Sequence, residues 1–141
     1  MIPLKAPIGY FLVGVLTLFF VIACSEKGPP QISIKWPQML VEGDSGAAFM
    51  VIFNKGKGSD RLKSCTVKEY PQLTCELHDI VKGRMQLVRD FEVPAGETLE
   101  LKPGGRHLML FGLPEKLQGE ITIVLHFEKT GDVPVKTGVV R

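Results

Sequence analysis

From Ile32 onward, apolar residues recur at every second position in short runs. Ile32 and Ile34 alternate with Ser33 and Lys35, and Ala47 to Phe53 reads AAFMVIF, which predicts a buried strand. Further strands are predicted over Leu62 to Val67, Leu73 to Ile80, Met85 to Phe91, Thr98 to Lys102, His107 to Phe111, Ile121 to Glu128 and Val133 to Val140. Turn residues separate them, among them Asn54-Lys55-Gly56-Lys57-Gly58, Lys82-Gly83, Pro94-Ala95-Gly96, Pro103-Gly104-Gly105 and Thr130-Gly131-Asp132. A period of two is what a strand with one buried face requires, because successive side chains leave opposite faces. No segment carries a long 3.6-residue stripe, and Leu113 to Gln118 offers one helical turn at most. The fold class predicted is all-β, a sandwich or barrel.

Composition narrows the function. With 141 residues, one domain is expected, and 45% hydrophobic against 23% charged residues is a globular balance. Lys+Arg 17 against Asp+Glu 15 leaves a net charge of +2, too few cations for a nucleic-acid partner. The chain has no GxSxG, Walker loop, dinucleotide fingerprint or HExxH, so the reading is not an enzyme. Glu97 and Glu100 read as solvated.

The start of the chain reads as an address. One charge, Lys5, precedes the uncharged run Ile8 to Ala23, which is shorter than the roughly 20 residues a membrane-spanning helix needs. This is the layout of a secretory signal. Val21-Ile22-Ala23-Cys24 resembles the lipobox of bacterial lipoproteins, which implies cleavage before Cys24 and its lipidation. The organisation expected is a signal peptide over 1–23, a tether over 24–30 and a β domain over 31–141. Such a protein is held on the outer side of the membrane by its lipid anchor, on the periplasmic side in a Gram-negative cell; the alternative is an uncleaved signal anchor. If Cys24 is lipidated, Cys65 and Cys75 remain, and in an oxidising compartment a disulfide worth ~2–4 kcal/mol is expected. The rival reading is a redox-active or metal-binding thiol pair.

Candidate chemistry lies in two segments. His107 and Met109 are two apart on a predicted strand and leave the same face, while Leu108 and Leu110 point into the core. His78 and Met85 flank the Lys82-Gly83 turn. A two-residue loop sets Ile80 opposite Met85, with His78 a neighbour on the same face. A four-residue loop sets His78 opposite Met85, and a three-residue loop separates them. Two imidazoles and two thioethers are neutral and soft, a donor set that favours Cu(I) over hard ions and offers zinc little. The site is expected on surface loops and strand ends, rimmed by Lys82, Arg84, Arg89 and Arg106. Met39 and Met50 read as core, and His126 as solvent-facing.

From Ile32 to about Val135 the chain resembles the periplasmic copper chaperone family PCu(A)C. The matching phrases are Gly46-Ala47-Ala48-Phe49, Asn54, Asp60-Arg61-Leu62, Glu76-Leu77-His78, Val93-Pro94-Ala95-Gly96 and Leu99 to Leu110, followed by Gly112-Leu113. The family's motif places twenty-one residues between a methionine and His-x-Met. Here Gln86 to Arg106 separates Met85 from His107-Leu108-Met109. The family usually has ten residues between its first histidine and that methionine. This chain has six, Asp79 to Arg84. Arg106 stands where the family commonly has an uncharged residue, and Cys65 and Cys75 are additions to the pattern. The resemblance implies a cupredoxin-like or immunoglobulin-like Greek-key sandwich. It also implies a Cu(I) carrier for an acceptor such as the CuA centre of cytochrome c oxidase subunit II, with His78, Met85, His107 and Met109 as ligands. The competing readings are a lipid-anchored thiol–disulfide oxidoreductase using Cys65 and Cys75, and a metal-free sandwich that binds a protein through a strand edge.

Overall fold

The computed structural model describes residues 27–141; the apolar leader and Cys24 lie outside the described residues. Ten strands follow: β1 (Ile32–Glu42), β2 (Ser45–Asn54), β3 (Asp60–Val67), β4 (Thr74–Val81), β5 (Arg84–Leu87), β6 (Phe91–Val93), β7 (Thr98–Leu101), β8 (His107–Phe111), β9 (Glu120–Phe127) and β10 (Gly131–Val140). Leu113 to Gln118 forms turns, and no helix occurs among the described residues.

Hydrogen-bonded neighbours run β5-β4-β8-β2-β1-β10-β9-β3-β6, with β7 also on β2. All pairs are antiparallel except β1 with β10, where Gln38 lies beside Gly138. β1 belongs to both layers and carries a bulge between Lys35 and Gln38. The path curls until β3 packs against β4, and Cys65 and Cys75 join these two strands in a disulfide with Cα atoms 5.5 Å apart.

Alternation explains the core. In β2, Ala48, Met50 and Ile52 are buried while Ala47, Phe49, Val51 and Phe53 form a half-buried outer side, so AAFMVIF is buried on one face only. In β9, Ile121, Ile123, Leu125 and Phe127 face inward. Met39, Leu77, Leu108 and Leu110 join them, each burial contributing about 1.5–3 kcal/mol. Gly46 is required where it stands, because a Cβ there would lie 2.9 Å from Leu113 Cδ1 and 3.0 Å from Met39 Sδ.

The predicted strand Met85 to Phe91 is two. β5 pairs with β4, but β6 pairs with β3 in the other layer. Residues 88–90 carry the chain across, with Val88 N–H donating to Leu77 O at 2.9 Å.

Two buried polar residues secure the β2–β3 connection. Asn54 donates from Nδ2 to Gly58 O and Val93 O, and its Oδ1 accepts from Gly56 N–H and Gln31 N–H. Asp60 accepts from the N–H groups of Arg61, Lys129 and Thr130 and from the Thr130 hydroxyl, tying β3 to the β9–β10 turn.

Candidate metal centre

The site is built on β5, β4 and β8. Lys82 (φ 53°) and Gly83 (φ 75°) both adopt left-handed backbone, which makes the β4–β5 connection a two-residue hairpin loop. Ile80 therefore lies opposite Met85 and His78 opposite Leu87. This is the two-residue register, and it leaves His78 and Met85 as diagonal neighbours on one face. On the other side of β4, His78 pairs with His107 and Glu76 with Met109. His78, Met85, His107 and Met109 thus leave the same face of three adjacent strands, opposite the inward Leu77, Leu108 and Leu110.

The imidazoles lie 5.6 Å apart between ring centroids. Phe49 flanks His107 at 6.2 Å and Phe111 flanks His78 at 6.3 Å. His78 is 8% exposed and His107 4%, whereas Met85 is 53% exposed. His107 opens β8 and Met85 follows the β4–β5 turn, both at strand ends, whereas His78 lies inside β4, where pairing with β8 fixes the backbone. Met109 borders an apolar groove of about 430 Å³ lined by Leu40, Val41, Ala47 and Phe49 among others.

Hydrogen bonds select the free nitrogens. His107 Nδ1 lies 2.8 Å from Gly105 O, which can only accept, so in neutral imidazole Nδ1 holds the proton and Nε2 has a lone pair. His78 Nε2 lies 2.8 Å from Glu76 Oε2, and by the same logic its Nδ1 is bare. That Nδ1 is buried without a hydrogen-bond partner. A buried lone pair with no donor is costly unless another electrophile fills the role. Glu76 went unassigned in the sequence; its place two residues before His78, on the same face, is the signal that could have found it. A carboxylate on the far nitrogen is how metal-binding histidines are commonly oriented. Among the described residues no three His, Cys, Asp or Glu groups cluster to hold a metal, so a centre here needs the thioethers.

The expected cationic rim is corrected in part. Arg106 alternates with His107 and leaves the reverse face, where its guanidinium is 3.6 Å from Asp79 Oδ2 and 5.8 Å from the Phe91 ring centroid. Arg84 alternates with Met85 in the same way. His126 also lies away from the site, on β9, between Thr66 Oγ1 at 2.8 Å and Asp132 Oδ1 at 2.6 Å.

Residues 31–139 match the family model described as "Putative lipoprotein LpqE-like". The chain belongs to the LpqE-like family. A relative from Leifsonia xyli subsp. xyli, named "Putative lipoprotein Lxx21020", is 33% identical over 116 residues, covering 77% of this chain and 68% of its own. Solved structures show the same fold. The "Copper-bound PCuAC domain from PmoF2" superposes with a TM-score of 0.65 at 19% identity, over 77% of this chain and 91% of that domain. The "Apo PCuAC domain from PmoF1" superposes with a TM-score of 0.65 at 20% identity, over 77% and 92%. The LpqE-like chain therefore has the cupredoxin-like β fold of PCuAC domains.

Proposed function

We propose that this LpqE-like chain is a metallochaperone, not an enzyme, that binds one Cu(I) through His78, Met85, His107 and Met109. Copper is its cargo, and its acceptor is a copper-accepting protein domain such as the CuA domain of cytochrome c oxidase subunit II. It works outside the cytoplasm, on a membrane to which lipidated Cys24 anchors it. The observation that carries the reading is the paired histidines: neighbours across two strands, each with one ring nitrogen free of hydrogen bonds, on the same face as both thioethers. The printed title of a solved domain with this fold names copper as its ligand, which supports the same reading.

The donor chemistry suits transfer. Two neutral imidazoles and two thioethers match a soft monovalent ion without adding charge, and thioethers do not oxidise to disulfides as free thiols would. The exposed Met85 leaves one side of the ion open to an incoming ligand, while the nearly covered imidazoles hold the other side in fixed geometry. The disulfide speaks for a structural role of the cysteines, because Cys65 is buried and thiol exchange needs access to a sulfur.

The test is a Cu(I) titration of the lipoprotein against a competing chelator. One tight equivalent is expected, weakened at least tenfold in both Met85→Ala and His107→Ala. Unchanged affinity in both variants contradicts the assignment.

A further inference from the structure

Trp36 is the chain's one tryptophan and, among the described residues, the least sheltered large apolar side chain, 71% exposed. It sits in the β1 bulge with φ of 55°, a left-handed backbone that a bulky side chain rarely adopts. Its ring meets Phe53 edge-on with centroids 6.2 Å apart. A core does not need this arrangement, which holds an indole outward on an aromatic support.

Its neighbourhood is where the tether enters. Lys55 N–H donates to Gln31 O at 2.9 Å, Lys57 N–H to Pro29 O at 3.2 Å, and Gln31 N–H to Asn54 Oδ1 at 3.1 Å. Gly56 packs so closely that a Cβ there would lie 2.4 Å from Pro29 O. Pro29 to Gln31 is thereby fastened to the β2–β3 loop, directly after Phe53. Cys24 is five residues from Pro29, a reach of at most ~18 Å when fully extended. An anchor at Cys24 keeps this end of the domain at the bilayer surface whatever the rest does.

The charge there fits an anionic surface. Lys27, Lys35, Lys55 and Lys57 are exposed, and among the described residues none of the four is in a salt bridge. Lys35 shares the outer side of β1 with Ser33, which pairs with Phe53. Tryptophan prefers the headgroup level of a bilayer, and lysines near the surface are drawn to anionic lipid.

We infer that the Trp36 end of the domain docks on the bilayer, with Trp36 set among the headgroups and Lys27, Lys35, Lys55 and Lys57 on anionic lipid. The inference rests on the lipid anchor in the proposed function, but not on copper binding. The domain is then a surface-seated body with a fixed orientation and not a free float on a leash.

The lone tryptophan makes this readable by fluorescence. The full lipidated protein is reconstituted into phosphatidylglycerol vesicles and into phosphatidylcholine vesicles, each with and without brominated acyl chains. Flotation first shows whether the protein is anchored. The expected result is flotation with both lipids, blue-shifted emission, quenching by brominated lipid and protection from acrylamide in phosphatidylglycerol. Most of that quenching should disappear in the triple variant K35E/K55E/K57E, with flotation and the far-UV spectrum retained. Absence of flotation overturns the anchor and this inference together. Flotation with Trp36 open to acrylamide and unquenched by brominated lipid overturns the docking alone. Shielding of Trp36 that appears only when a copper-accepting domain is added assigns the patch to a protein and overturns the membrane reading. Equal quenching in phosphatidylcholine and in the triple variant overturns the part given to the lysines.

Discussion

Asp60 and His78 are both buried polar residues on strands of the same domain, 1% and 8% exposed, and they are treated in opposite ways. Both carboxylate oxygens of Asp60 are occupied, by three backbone N–H groups and a hydroxyl. One ring nitrogen of His78 is held by Glu76 and the other has nothing. A buried polar group whose partners are complete holds the fold together. Two side-chain atoms are left incomplete among the described residues, Ser33 Oγ and His78 Nδ1, and only the second lies beside another imidazole and on the face of two thioethers, where a metal can supply the partner.

The largest effect is expected at Asp60. Asp60→Ala leaves four donors without their acceptor and should cost about 3 kcal/mol or more, measured by urea denaturation. The Cu(I) affinity of the folded protein should stay unchanged, because β3 carries no ligand.

Next in size is the disulfide. Replacing Cys65 and Cys75 together with serine should cost ~2–4 kcal/mol in the same assay and leave copper binding intact. Loss of a thiol-exchange activity with copper binding kept would favour the oxidoreductase reading.

Asp60 also sets an acid limit. Burial pushes its carboxyl pKa up, but the Thr130 hydroxyl and the N–H groups of Lys129, Arg61 and Thr130 outweigh this and hold it below the usual carboxylate value. A pKa lower in the folded than in the unfolded state means that the stabilisation is complete above the unfolded value. It is lost as the pH falls through the folded one. Thermal melts should therefore show stability dropping below about pH 4. Asp60→Asn should flatten that acid limb; an equally steep limb would assign it to other carboxyls.

The smallest stability effect belongs to His78. His78→Phe removes an incomplete polar group and keeps a ring in the gap beside His107 and Phe111, so it should change stability by less than about 1 kcal/mol. Copper affinity should fall at least tenfold. A stability loss comparable with that of Asp60→Ala would erase the distinction between the two residues.

Much of this was legible in the sequence, for one geometric reason. Strand periodicity placed His107 and Met109 on one face and Leu108 and Leu110 on the other without knowledge of any partner strand. The His78–Met85 relation needed only an even loop, and Lys82-Gly83 supplied it. The six residues between His78 and Met85 are an even number, so the two-residue loop leaves both side chains on one face of the hairpin. What depends on the third dimension was not legible. The split of Met85 to Phe91 follows from the chain crossing between layers, and crossing leaves no mark in hydropathy. The burial of His78, its bare Nδ1 and the role of Glu76 follow from β8 lying beside β4, a neighbour twenty-nine residues away in sequence at the histidine pair. The departure of Arg106 to the reverse face was available from simple alternation with His107.

Copper K-edge X-ray absorption on the Cu(I)-loaded protein reads the ligand shell itself. Two nitrogen and two sulfur scatterers around one ion are the predicted shell, with a sulfur lost in both Met85→Ala and Met109→Ala. A shell of nitrogen and oxygen alone, or a sulfur shell unchanged in both variants, would rule out a site of two imidazoles and two thioethers.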